Sequence, residues 1–132
     1  MTEKEYCKKW LPLLKKISGD IALKKRCKEY NAYLLNGPDL PEKLDFYTFL
    51  DEAYSSNLVI SNYLEFAEKF DQKLIMNPTD TFISKLSEKE LLACIAYHFR
   101  NDHWDNGALI SNSFTSGALE KYFEALISNN RL

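Results

Sequence analysis

The sequence predicts an all-α fold, one domain over residues 1–132 with about six to eight helices counted from caps and breakers. Three observations carry that reading. Apolar residues recur at spacings of three and four rather than alternating. Ser/Thr-x-x-Glu boxes stand at the heads of two such runs, Thr2 with Glu5 and Ser87 with Glu90. Four Gly and four Pro are too few for the many tight turns of a β-sandwich.

The first helix starts at the Thr2 box and buries Tyr6, Trp10, Leu13, Leu14 and Ile17, with Lys4, Lys8 and Lys15 opposite. Pro12 deletes the N–H that would bond to residue 8, so this helix should kink or restart. Ser18-Gly19-Asp20 ends it, and Asp20 caps the second, which carries Leu23, Cys27, Tyr30 and Leu34 on one side and Lys24, Lys25 and Lys28 on the other. Asn36-Gly37-Pro38 stops it. A third helix from about Pro41 to Tyr54 carries Phe46, Tyr47, Phe49, Leu50, Ala53 and Tyr54 over a broad arc, as expected of the central helix of the fold. Ser55-Ser56-Asn57 breaks it, and Leu58-Val59-Ile60 follows as an apolar plug.

A fourth helix is capped by Asn62 with Glu65, carries Tyr63, Phe66, Ala67, Phe70 and Leu74, and ends at Asn77-Pro78. Thr79–Leu86 has room for one extra turn. The Ser87 box opens a helix with Leu91, Leu92, Ile95 and Phe99 inward and Cys94, Tyr97 and Arg100 off the stripe, stopping near Asn101. A short helix then turns Leu109, Ile110 and Phe114 inward. Gly117 supplies the positive φ or the close approach needed at a corner, and a last helix buries Leu119, Tyr122, Phe123, Leu126 and Ile127. Residues 1–37 thus form a basic helix pair and 41–128 an aromatic-rich helical core.

No apolar run approaches the roughly 20 residues needed to cross a membrane, and Met-Thr-Glu-Lys-Glu is no signal peptide. Three irregularly spaced Cys then read as reduced thiols of a cytoplasmic protein. Net charge is −2, but residues 1–36 hold nine Lys/Arg against four Asp/Glu, while the remainder hold eight against fifteen. Such halves bind an acidic partner or pair with each other.

The series Tyr54-Ser55-Ser56, Val59, Arg100, Asp102, Trp104, Gly107, Leu109, Gly117 and Leu126 resembles the signature of a small bacterial all-helical family, a domain of unknown function. The resemblance covers roughly residues 44–128. His103 stands where that pattern has Arg, and Asn106 where it has an acid. It implies the helical fold and no activity.

Chemistry concentrates in Arg100-Asn101-Asp102-His103-Trp104-Asp105-Asn106-Gly107. As a loop between helices, it offers a cation, an imidazole between two carboxylates and an aromatic plane: Arg100, Asp102, His103, Trp104 and Asp105 are the candidate ligand-binding residues. The plainer reading is a structural corner, with Trp104 in the core, Arg100 paired to an acid and an Asp capping the next helix. Cys94 and His98 have the i, i+4 spacing of metal ligands, but no third ligand is near, so a semi-buried thiol and a flanking His are expected, with no metal or cofactor. Ser111, Ser113 and Ser116 lack a nucleophile's context.

The absence of a catalytic constellation argues against an enzyme. The reading that fits best is a small cytoplasmic interaction or regulatory module, binding another protein or itself. One alternative is nucleic-acid binding by the lysine faces, through Lys8, Lys15, Lys24 and Lys25. It is disfavoured because the aromatics lie opposite those lysines. The other is a ligand or enzyme site at 100–107.

Overall fold

The computed structural model describes residues 1–29, 46–104 and 108–128, and only the backbone of 102–104. It is all-α. Among the described residues there are eight α-helices and one π-helical segment, with no strand.

Helix starts follow local capping. Helix α1 (Glu3–Gly19) opens on the predicted box: Glu5 N–H donates to Thr2 Oγ1 at 3.1 Å and Thr2 N–H to Glu5 Oε1 at 3.2 Å. Pro12 lies inside α1 without a restart. Lys8 and Pro12 are both exposed, which leaves the orphaned Lys8 carbonyl on the wet side of the helix. The buried stripe is Tyr6, Cys7, Trp10, Leu14 and Ile17; Leu13 is only half-buried. Asp20 caps α2 (Ile21–Lys28), its Oδ1 accepting from Leu23 N–H at 3.0 Å. Tyr30, Leu34, the stop at Asn36-Gly37-Pro38 and the first residues of the expected third helix lie outside the described residues.

Helix α3 (Phe46–Ser55) is not the central one. It buries Phe49 and Ala53 and turns Tyr47 and Tyr54 to solvent, so its apolar arc serves two faces. Asn57 ends it at φ 63°, and Leu58 N–H reaches back to the Ala53 carbonyl. Leu58 and Val59 are the expected plug.

Two expectations for the middle of the chain need correction. The fourth helix is two short ones, α4 (Leu64–Ala67) and α5 (Gln72–Met76). Asp71 provides the break by capping α5, its Oδ1 accepting from Lys73 N–H at 2.9 Å. Asn62 touches Glu65, but the residue before α4 is Tyr63 and no side chain caps it. The extra turn is real: Thr79 caps α6 (Asp80–Ser84).

The central helix is α7 (Glu88–Trp104), headed by the Ser87–Glu90 box. Leu91, Ala93, Cys94, Ile95, Ala96, His98 and Phe99 are all buried, and α4, α5, the π-helix and α8 pack around it. Small residues between the large ones let several neighbours approach at once. The helix also runs past Asn101 to Trp104.

Leu109–Phe114 is a π-helix that buries Leu109, Ile110, Ser113 and Phe114. Gly117 makes the corner at φ 79°. Helix α8 (Ala118–Ile127) then packs its stripe on α1 and α7, with Ile127 at the edge. The shared core is an aromatic cluster around Phe49, which stacks on Phe99 at 5.6 Å and meets Phe114 at 5.2 Å and Trp10 at 5.3 Å edge-on. Tyr6 Oη donates to the Phe49 carbonyl at 2.9 Å.

Candidate functional site: an arginine cleft at the end of α7

The predicted 100–107 loop does not exist as a loop over its first half, because residues 101–104 continue α7. Asn101 and Asp102 have turn propensity, yet the backbone stays helical through Trp104. Of the five residues named for that site, Arg100 is described in full. The side chains of Asp102, His103 and Trp104, and all of Asp105, lie outside the described residues.

Arg100 nevertheless sits in a cleft of about 270 Å³, with Tyr63, Gln72, Tyr97 and Asn101. Three elements build it. Tyr97, Arg100 and Asn101 share one face of α7 by their spacing of three and four. Tyr63 stands at the head of α4, and Gln72 is the first residue of α5. The break between α4 and α5 thus helps form the cleft. Gln72 Nε2 donates to Tyr97 Oη, and the Tyr63 and Tyr97 rings meet edge-on at 6.3 Å.

The guanidinium lies over the Tyr54 ring at 5.6 Å, a cation–π contact. Its Nε is buried and has no hydrogen-bond partner. The expected pairing with an acid is not seen among the described residues. Among the described residues the Tyr54 face is the contact given to this half-buried cation, which leaves its other N–H groups to serve an acceptor. Sequence reading missed Tyr54, Tyr63, Gln72 and Tyr97 as its neighbours. The available signal was Tyr97, which shares the off-stripe face of α7 with Arg100.

Cys94 and His98 are fully buried, not semi-buried and flanking. His98 Nε2–H donates to the Ile75 carbonyl at 2.9 Å, and Nδ1 accepts from the Ser113 hydroxyl at 2.7 Å. A carbonyl only accepts, so Nε2 carries the proton, and a ring kept neutral by burial then accepts at Nδ1. Burial holds the His98 pKa down to about 4 and pushes the Cys94 thiol up to about 11. Both imidazole nitrogens are occupied, and no cluster of three metal-ligating side chains exists among the described residues. His98 and Ser113 have the geometry of a base–nucleophile pair, but both are about 1% exposed, so no substrate reaches them.

The candidate nucleic-acid lysines are partly engaged within the chain. Lys15 pairs with Glu124 of α8 at 3.3 Å, and neighbouring Lys9 pairs with Glu52. Lys8 and Lys25 are exposed and Lys24 is half-buried. Lys24, Lys25 and Lys28 surround exposed Ile21 in a shallow depression on α2. No described helix is long and apolar enough to cross a membrane.

Compared with known proteins, the chain matches no family model, no curated protein and no solved structure.

Proposed function

We propose that this chain is a small interaction module that binds another protein through the tyrosine-rich face around Arg100. The observation that carries this is the double-sided α3. Phe49 and Ala53 are buried, while Tyr47 and Tyr54, seven residues apart on the other face, are 81% and 45% exposed. Tyr54 lies under the Arg100 guanidinium, so that ridge adjoins the cleft. Exposed Leu64 follows Tyr63 at the cleft's edge. Tyrosine and arginine anchor protein interfaces because they offer large contact area together with directional hydrogen bonds. The three cysteines are unpaired thiols, which supports a cytoplasmic setting.

The test is a Tyr47→Ala/Tyr54→Ala double variant. Both residues are solvent-facing, so the melting temperature should stay within a few degrees of the parent. Crosslinking in a host extract should capture a partner with the parent chain and at least tenfold less of it with the variant. Equal capture by both proteins overturns this face as the interface.

A further inference from the structure

We propose that the Arg100 cleft is a binding site for one carboxylate, supplied by an acidic side chain of the partner. The inference deepens the interaction reading above and rests on it for the source of the carboxylate.

The cleft is rich in donors. Arg100 carries five N–H groups, and the Nε–H is buried without an acceptor. Tyr97 Oη already accepts from Gln72, which leaves its own O–H to donate. Asn101 adds an amide. Among the described residues no acidic side chain lines the cleft. The walls are aromatic: Tyr63 and Tyr97 line it, and the guanidinium lies over the Tyr54 ring. Aromatic faces favour the cation and repel an anion, so the ligand's charge must meet the guanidinium edge-on.

Charge selects carboxylate over phosphate. One cation is offset by one anionic charge. A phosphate carrying nearly two charges would leave an excess negative charge among tyrosine rings, with no second cation among the described lining residues to balance it. A planar carboxylate also matches the planar fork of arginine. Partner source follows from position, because the cleft is open to solvent beside the exposed Tyr54 and Leu64, where a docked chain would pass.

The test observes the Arg100 Nε–H by nitrogen–proton NMR of the full chain. The chain has three arginines, so this signal is assigned through its own side-chain carbons and compared with Arg26 and Arg131. Sodium acetate, sodium phosphate and sodium chloride are titrated separately at constant ionic strength. The proposal expects acetate to move the Arg100 signal saturably, with half-effect in the millimolar range, and to leave Arg26 and Arg131 in place. No saturable shift with acetate, an equal shift at all three arginines, or saturation by phosphate at lower concentration than acetate each overturns it.

The source is tested by adding Arg100→Gln to the crosslinking experiment. Loss of the captured partner supports a partner's carboxylate. Unchanged capture beside a positive acetate titration overturns that source and leaves a free carboxylate as the ligand. Failure with acetate while capture still depends on Tyr47 and Tyr54 sinks the anion site and leaves the interface standing.

Discussion

His98 shows what burial does to a single side chain. Desolvation keeps its ring neutral with a pKa near 4, against an ordinary 6.5. Among the described residues no charged group pairs with it: its hydrogen bonds are to the Ser113 hydroxyl and the Ile75 carbonyl, with the Tyr122 ring edge-on at 5.5 Å. Tyr122 Oη donates to the same carbonyl at 2.7 Å. The sign of the pH dependence follows. Between pH 6.5 and 4 the unfolded chain takes up a proton that the folded chain does not, so stability falls as pH drops through that window. The loss approaches about 3 kcal/mol from this group alone. Urea melts at pH 7 and pH 4.5 measure it. His98→Gln keeps a donor and an acceptor, and should remove most of the difference while costing about 1–2 kcal/mol at pH 7. An unchanged pH difference in the variant would assign it to the carboxylates instead.

At the scale of elements, what was legible is what local chemistry specifies. Thr2, Asp20, Thr79 and Ser87 each place a side-chain oxygen within reach of an N–H three residues on, and each starts a helix. Gly117 was read as a corner and is one, because φ 79° disfavours any side chain. A Cβ there would meet nothing within 4 Å, so the cost of Gly117→Ala is conformational alone, about 1–2 kcal/mol by thermal melt. Asparagine, which tolerates this region, should recover part of that loss. The same reading failed at α3 and α7. Large apolar side chains spread over a broad arc of α3 and fall on one face of α7. Ala93, Cys94, Ala96 and His98 add nothing to such a stripe, yet their small size or satisfied hydrogen bonds are what allow α7 to be enclosed. Residues 62–76 carry one helical stripe in sequence, and Asp71 divides it by a cap that the stripe does not reveal.

For the whole molecule, the charge asymmetry is partly answered within the chain. Lys9 and Lys15 of the basic N-terminal part meet Glu52 and Glu124 of the acidic remainder. These pairs are too exposed to contribute much, of the order of 1 kcal/mol or less each. Glu52 does more than pair with Lys9, because its Oε2 also accepts from the Trp10 indole N–H at 3.2 Å. Glu52→Ala should therefore cost about 1–2 kcal/mol, more than an exposed ion pair, by leaving a largely buried indole donor without its carboxylate. High salt should reproduce only a small part of that loss in the parent chain. If half-molar salt destabilises the parent as much as the substitution does, the Trp10 hydrogen bond is not the main contribution.

By itself the sequence determined that the chain is helical, where most helices begin, that Asn77-Pro78 ends one, and that position 117 turns the chain. Capping bonds, proline's missing N–H and glycine's freedom at positive φ act within a few residues, so they are written in the local order of side chains. Tertiary structure alone decided that α7 is central, that His98 is neutral, and that Arg100 shares a cleft with Tyr63 and Gln72 while resting on Tyr54. Burial and desolvation depend on which distant segments arrive at a residue, and no spacing within one segment encodes that.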